Sequence, residues 1–317
     1  MRRILITGAL GQIGSELALK MKKVYGDENV VISDLKYKED HKELIENSNF
    51  ELLDVMDRNR MAEITDKYKI NTVINLAAIL SATGELNPGL CWNVNMTGLY
   101  NVLELAREKN LSVFTPSSIA VFGDSTPKDN TPQETIMRPE TMYGVTKVSG
   151  ELLCDYYFHK FGVDTRGVRF PGLISYDTLP GGGTTDYAVH IYYEAIKNKK
   201  YTSFIDKGTK MDMMYMPDAL NAILMLLEAD GSKLVHRNAF NIAAMSFDPE
   251  EIAAAIRKHI PEFVLEYDVD PVRQTIACSW PNSLDDSAAR EEWGWAPKYL
   301  LDDMTKDMIE KLREKLK

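Results

Sequence analysis

The sequence predicts an α/β fold, a doubly wound parallel sheet with a smaller C-terminal lobe, on three observations. An apolar strand-like run, Arg3-Ile4-Leu5-Ile6-Thr7, opens onto Gly8-x-x-Gly11-x-x-Gly14 and a helical stretch reaching about Tyr25. A second apolar run ends in an acid, Asp34, about 20 residues beyond the third glycine. Strand-like and helix-like segments then alternate through about residue 175. Such alternation sets parallel strands side by side with helices crossing between them.

Taken in order, strands are expected near 3–7, 29–33, 50–53, 72–76, 111–116 and 164–169, with helices between. After the first strand, glycines at 8, 11 and 14 permit a tight turn and close approach of a pyrophosphate to the helix N-terminus, where Gln12 and Ile13 sit. This is the Rossmann arrangement, and the bound group it suits is NAD. Asp34 would hold the adenosine ribose diol and repel a 2′-phosphate, which favours NAD over NADP. Asp54 and Val55, after the third strand, fit an adenine contact; Leu76, Ala77 and Ala78, after the fourth, leave room for the cofactor to pass. Either stretch also reads as ordinary packing at a strand end. Past Pro171-Gly172 the pattern changes, and Pro180-Gly181-Gly182-Gly183 marks a flexible loop expected to close and exclude water. A helix from about Asp186 to Lys197 follows, then one started by Pro217-Asp218. A strand at 239–242 is expected to return to the sheet, followed by an Ala-rich helix from Pro249 to about His259 and a charged amphipathic helix at the end. The domains expected are 1–175, rejoined by about 213–243, for NAD, and 176–212 with 244–317 as a substrate-binding lobe.

Composition narrows the function. With 317 residues, 44% of them hydrophobic, the chain can bury a large core. A formal charge of −10 opposes nucleic-acid binding, which needs basic surface. Cys91, Cys154 and Cys278 lack CxxC spacing and the five histidines are scattered, so neither a metal site nor a disulfide framework is expected. The first strand begins by residue 3 or 4 and no long apolar run occurs, which leaves no room for a signal peptide or membrane span and leads to a cytoplasmic expectation.

The chemistry is expected at Tyr143 and Lys147, which follow Ser117-Ser118 by about 25 residues. Residues four apart on a helix share a face, so the Lys147 ammonium would lie beside the Tyr143 phenol. A tyrosine base working near neutrality needs its pKa lowered by roughly 3 units, about 4 kcal/mol, which a lysine and a cationic nicotinamide ring could jointly provide. Tyr143 would take the proton from a substrate hydroxyl and Ser118 would hydrogen-bond the same oxygen. Tyr156/Lys160 and Tyr193/Lys197 repeat the spacing. Only Tyr143 follows an apolar strand that ends in serines, where open parallel sheets bind their ligands.

These motifs, in order, resemble an extended short-chain dehydrogenase/reductase from end to end. Gly8-x-x-Gly11-x-x-Gly14, Asp54-Val55, Asn95, Ser118 before Ile119-Ala120-Val121-Phe122-Gly123, and Tyr143-Gly144-Val145-Thr146-Lys147 all match the family pattern. So does Arg169-Phe170-Pro171-Gly172, whose backbone, by the resemblance, contacts the nicotinamide end at Pro171. Within the family, Ile79 to Glu85, Pro139 to Lys147, Gly183 to Val189, Met214 to Ala219 and Ser279-Trp280-Pro281 resemble the group of short-chain-type L-threonine 3-dehydrogenases. That resemblance implies NAD-dependent oxidation of the threonine hydroxyl to 2-amino-3-oxobutanoate. It further implies Ser81 and Thr185 on the amino acid, Trp280 closing over it, and a homodimer through helices near 95–108 and 143–161. Ser118 stands where many relatives carry threonine.

Two other classes use the same scaffold. A nucleotide-sugar epimerase or dehydratase would reduce and reoxidise NAD within one turnover, and the Ser/Tyr/Lys set does not exclude it. A non-catalytic dinucleotide sensor would tend to lose the tyrosine and lysine, both present here.

Overall fold

The structure, a computed structural model, describes residues 1–178 and 183–317. The expectation of loop closure at Pro180 to Gly183 rests mostly on residues 179–182, which lie outside the described residues. The strands are β1 (Ile4–Thr7), β2 (Val30–Asp34), β3 (Asn49–Leu52), β4 (Thr72–Asn75), β5 (Ser112–Phe114), β6 (Ser117–Ser118), β7 (Thr165–Arg166), β8 (Val168–Phe170), β9 (Gly172–Ile174), β10 (Lys200–Ser203), β11 (Met211–Tyr215), β12 (Phe240–Asn241), β13 (Met245–Phe247) and β14 (Val264–Tyr267). The helices are α1 (Gln12–Tyr25), α2 (Lys42–Glu46), α3 (Arg58–Tyr68), α4 (Ser81–Leu86), α5 (Pro88–Trp92), α6 (Gly98–Lys109), α7 (Met142–Phe161), α8 (Tyr187–Asn198), α9 (Met216–Glu228), α10 (Pro249–Arg257), α11 (Pro271–Ser279), α12 (Ser287–Trp293) and α13 (Leu301–Lys315).

The chain divides into two compact units, each assembled from three stretches. The first holds Met1–Val121, Glu140–Arg169 and Ala222–Phe240; the second holds Phe122–Pro139, Phe170–Asn221 and Asn241–Lys317. The cut therefore falls after Arg169 rather than near 175, and residues 122–139 and 213–221, expected with the nucleotide domain, sit in the second unit.

The first unit is built on a six-stranded parallel sheet in the order β3-β2-β1-β4-β5-β7. Strand order reverses between β1 and β4, the position at which open α/β sheets leave a ligand crevice beyond the strands' carboxyl ends. Its strands are short apolar runs because both faces are covered: Ile4, Leu5 and Ile6 are fully buried, as are Val73, Ile74, Val113 and Phe114. On one side α6 lays down Leu99, Val102, Leu103, Leu105 and Ala106, each large one contributing about 1.5–3 kcal/mol by burial. The helix stops at Asn110, whose left-handed backbone (φ 54°) forms the C-terminal cap. The strand expected at 239–242 is shorter and lies elsewhere: β12 joins a separate three-stranded ribbon in the order β12-β8-β6, where Gly167 donates to the Arg237 carbonyl and accepts from the Phe240 amide. A side chain at Gly167 would put its Cβ 2.5 Å from the Thr115 carbonyl oxygen.

Arg166, buried at 5% exposure, closes this unit from below. Its guanidinium donates to the carbonyls of Leu226 (2.7 Å), Leu227 (3.2 Å) and Ala229 (2.8 Å) at the C-terminal end of α9 and pairs with Asp164 at 3.0 Å. Arg166→Met strands those carbonyls and leaves Asp164 with Arg237 as its remaining cation, so urea unfolding should show a loss of about 2–4 kcal/mol.

The second unit contains β11 paired parallel with β9 and antiparallel with β13, and a parallel pair of β10 with β14. Its C-terminal motif has a packing reason: Gly294 (φ 76°) caps α12, which lets Trp295 turn inward to 2% exposure and donate its indole N–H to the Ala243 carbonyl at 3.2 Å. Among the described residues no helix is long and apolar enough to cross a membrane, and no group of three or more His, Cys, Asp or Glu is placed to hold a metal ion.

Candidate functional site

The glycine turn joins β1 to α1 at the reversal of strand order. Gly8 has φ +66°, and a Cβ there would stand 2.8 Å from the Ala77 amide nitrogen, so the turn lies directly against the chain leaving β4. Thr7 and Asn75, at the ends of those two strands, share a 2.7 Å hydrogen bond. A Cβ on Gly14 would stand 2.5 Å from the Gly8 carbonyl, so α1 begins hard against the turn. Gly11 is the N-cap and supplies no side-chain cap, and the first turn of α1 carries no acid. The helix thus starts with free amides and a positive field, the requirement for a phosphate. The buried Nε2 of Gln12 has no hydrogen-bond partner, leaving a donor beside those amides.

Asp34 ends β2 next to this turn. Its carboxylate accepts from the Leu10 and Leu35 amides, both at 2.9 Å, which fixes it at the turn's rim. Asp54 is exposed and caps the following turn through the Met56 amide. The Val55 side chain is in the core, against Gly98, which leaves its main chain for any contact with an adenine. Leu76, Ala77 and Ala78 are partly exposed on the chain leaving β4. The residues present fit a dinucleotide at the glycine turn, Gln12 and Asp34.

Asn95 lies in a π-helical turn, Asn93–Thr97, between α5 and α6. Its amide accepts from the Ile79 amide at 2.8 Å and donates to the Ile79 carbonyl at 3.1 Å and to the Thr146 hydroxyl at 3.0 Å. This side chain therefore ties the chain after β4 to α7, a clamping task that the sequence pattern did not show. Ser81 begins α4 and is buried at 9% exposure.

Helix α7 starts where it does because Thr141 accepts from the Gly144 amide and Glu85 accepts from the Met142 amide at 2.6 Å. Tyr143 and Lys147 follow on one face, the Lys147 Nζ 5.4 Å from the centre of the phenol ring. That ammonium donates to the Pro116 carbonyl at 2.7 Å, and Ser118, in β6, lies beside the Tyr143 hydroxyl, where it favours ionisation of the phenol. The structure thus brings all three expected catalytic residues together. In the protein alone, burial pushes the Tyr143 phenol up to about 12 and Ser118 pulls it partly back. Burial pushes Lys147 down to about 8. A phenol desolvated this far needs more positive charge than the lysine provides before it can act as a base.

Pro171, Thr185 and Trp280 belong to the second unit. Pro171 precedes β9, Thr185 packs its methyl against Gly172, and Trp280 follows α11 at 7% exposure.

The pattern of the NAD dependent epimerase/dehydratase family matches residues 4–243. This chain belongs to that family. A family relative, an uncharacterized epimerase/dehydratase of Staphylococcus aureus (strain MRSA252), is 59% identical over 315 residues, 99% of this chain and 98% of the relative. Among solved structures, an L-threonine dehydrogenase from Clostridium difficile is 65% identical with a TM-score of 0.98, covering 99% of this chain and 98% of that one. A monomeric L-threonine 3-dehydrogenase from a metagenome is 47% identical with a TM-score of 0.94, covering 99% and 100%.

One site residue of this epimerase/dehydratase family member escaped sequence reasoning. Glu151 is buried and receives two bonds from Arg169, at 3.0 and 2.9 Å, and one from the Ser117 hydroxyl. Its signal was present: Glu151 extends the spacing of four from Tyr143 and Lys147.

Proposed function

We propose that this protein is an NAD-dependent L-threonine 3-dehydrogenase that oxidises the side-chain hydroxyl to L-2-amino-3-oxobutanoate, a cytoplasmic step of threonine breakdown toward glycine or aminoacetone. The observation that carries the reading is the Ser118, Tyr143 and Lys147 cluster in a chain so similar throughout to an L-threonine dehydrogenase. Bound NAD supplies the hydride acceptor. Tyr143 takes the hydroxyl proton, Ser118 donates to the same oxygen, and Lys147 places a cation beside the phenol. The glycine turn and Gln12 hold the pyrophosphate, Asp34 the adenosine ribose diol, and Pro171 the nicotinamide end through its backbone. Ser81, Thr185 and Trp280 are assigned to the amino acid. The exposed faces of α6 and α7 carry Tyr100, Leu152 and Tyr156, apolar surface suited to a homodimer of this chain.

The test is absorbance at 340 nm with NAD and L-threonine, beside D-threonine, L-serine and NADP. NADH formation with L-threonine supports the reading; no net NADH with any amino acid overturns it and directs attention to nucleotide-sugar epimerisation, which forms none. In the same assay Asp34→Ser should cut the preference for NAD over NADP by about tenfold or more, because the carboxylate that repels a 2′-phosphate is gone.

A further inference from the structure

Helix α7 sends three side chains, four residues apart, to three consecutive residues at the end of the fifth strand. Tyr143 meets Ser118, Lys147 meets the Pro116 carbonyl, and Glu151 meets the Ser117 hydroxyl. Lys147 and Glu151 also face one cavity of about 30 Å³, a space the size of one or two waters, lined as well by Asn75, Thr115, Ser117 and Asn238. The Glu151 carboxylate is 6% exposed in its side chain and Arg169 5%, so their charges are little screened.

We propose that Glu151, held by Arg169 and Ser117, is a positioning residue that sets the charge state of Lys147 and the register of residues 116–118 against α7. The inference rests on the role given above to Lys147. Burial drives the lysine toward its neutral form, and Glu151 is the main group opposing this. Other ionisable groups packed around α7 act less or are committed elsewhere. Cys91 and Cys154 are thiols raised by burial; Glu85 caps α7; Glu104 holds Tyr157 and Arg107; Asp155 holds Asn238; Arg166 holds Asp164. Arg169 reaches the lysine's surroundings across the carboxylate and so tempers the effect.

The sign follows. Glu151→Gln removes the opposing anion, so Lys147 should lose its proton at lower pH. Arg169→Gln leaves the anion uncompensated, so Lys147 should keep its proton to higher pH. The measurement is an NMR titration of protein labelled with 13C at lysine Cε, with the Lys147 signal identified by its loss in Lys147→Met. The two variants should move the midpoint in opposite directions, by about one pH unit each. A merely structural pair would not produce opposite shifts. Midpoints that stay put or move together overturn the proposal. Should either single variant fail to fold, Glu151→Leu/Arg169→Met removes both buried charges together. It must lower the midpoint by itself, since the carboxylate is the nearer charge; an unchanged midpoint there overturns the proposal. The titration uses no substrate. Shifted midpoints without threonine oxidation would refute only the substrate assignment, and unshifted midpoints with normal oxidation would refute only the role of Glu151.

Discussion

Tyr143→Phe should lower threonine-dependent NADH formation by about 10²–10⁴-fold, the usual contribution of a positioned proton acceptor, and leave the fold and NAD affinity nearly intact. The ring keeps its packing in α7, and only the hydroxyl held by Ser118 is lost. The pH dependence sharpens the test. Burial holds the phenol high, at about 12 without ligands, so the wild-type rate should climb with pH as the phenol ionises. The phenylalanine variant has no such group, and its residual rate should lack that climb. A variant retaining activity within about tenfold of wild type, with the same pH profile, would remove Tyr143 from proton transfer and leave Lys147 or solvent as the acceptor.

Gly14→Ala is expected to be the most damaging single methyl in the first unit. The added carbon would meet three main-chain atoms at once: the Gly8 carbonyl oxygen at 2.5 Å, the Ala9 Cα at 2.7 Å and the Ala9 carbonyl carbon at 2.9 Å. Main chain does not swing aside as a side chain does, so the start of α1 must lift from the turn. Overpacking of this kind costs about 1–3 kcal/mol in stability. The larger loss should be in NAD affinity, by about 100-fold or more, because the helix amides no longer converge on the phosphate. Calorimetric titration with NAD alone reads this without any substrate. Affinity unchanged in the alanine variant would mean that the dinucleotide does not seat on this turn.

Much of the first unit was legible because each of its signals is local. An apolar run followed by glycines can only be a strand meeting a tight turn, and the acid closing the next strand is fixed by its distance from them. Tyr143 and Lys147 were legible from helical spacing combined with the serines before them. What stayed hidden depends on distant partners. Val55 gives no sign in the sequence that its side chain packs against Gly98, on a helix more than forty residues away. Asn95 reads as a family marker, yet its task is to join Ile79 to Thr146. Glu151 looks like any helix carboxylate until Arg169, on a separate strand, arrives beside it. The desolvation of Tyr143 stayed hidden for a related reason. Sequence spacing reports the neighbouring cation and says nothing of the desolvation that opposes it. The passages between the two units inside β8 and inside α9 leave no mark in the sequence, because no turn residue stands at either.

The interleaving of the two units also bears on how the protein comes to be made. The first 121 residues leave the ribosome as one block holding five strands of the parallel sheet. The sixth, β7, arrives only after residues 122–139 of the other unit have been synthesised. Arg166 then waits for the end of α9, some sixty residues later, before its guanidinium finds the carbonyls it satisfies. A nascent chain in that interval carries a buried-to-be cation with three of the four partners named above still to be synthesised. The first unit is complete only once Phe240 has emerged, which makes the stretch between 166 and 240 the window in which a stalled or truncated chain is most exposed to chaperones and proteases.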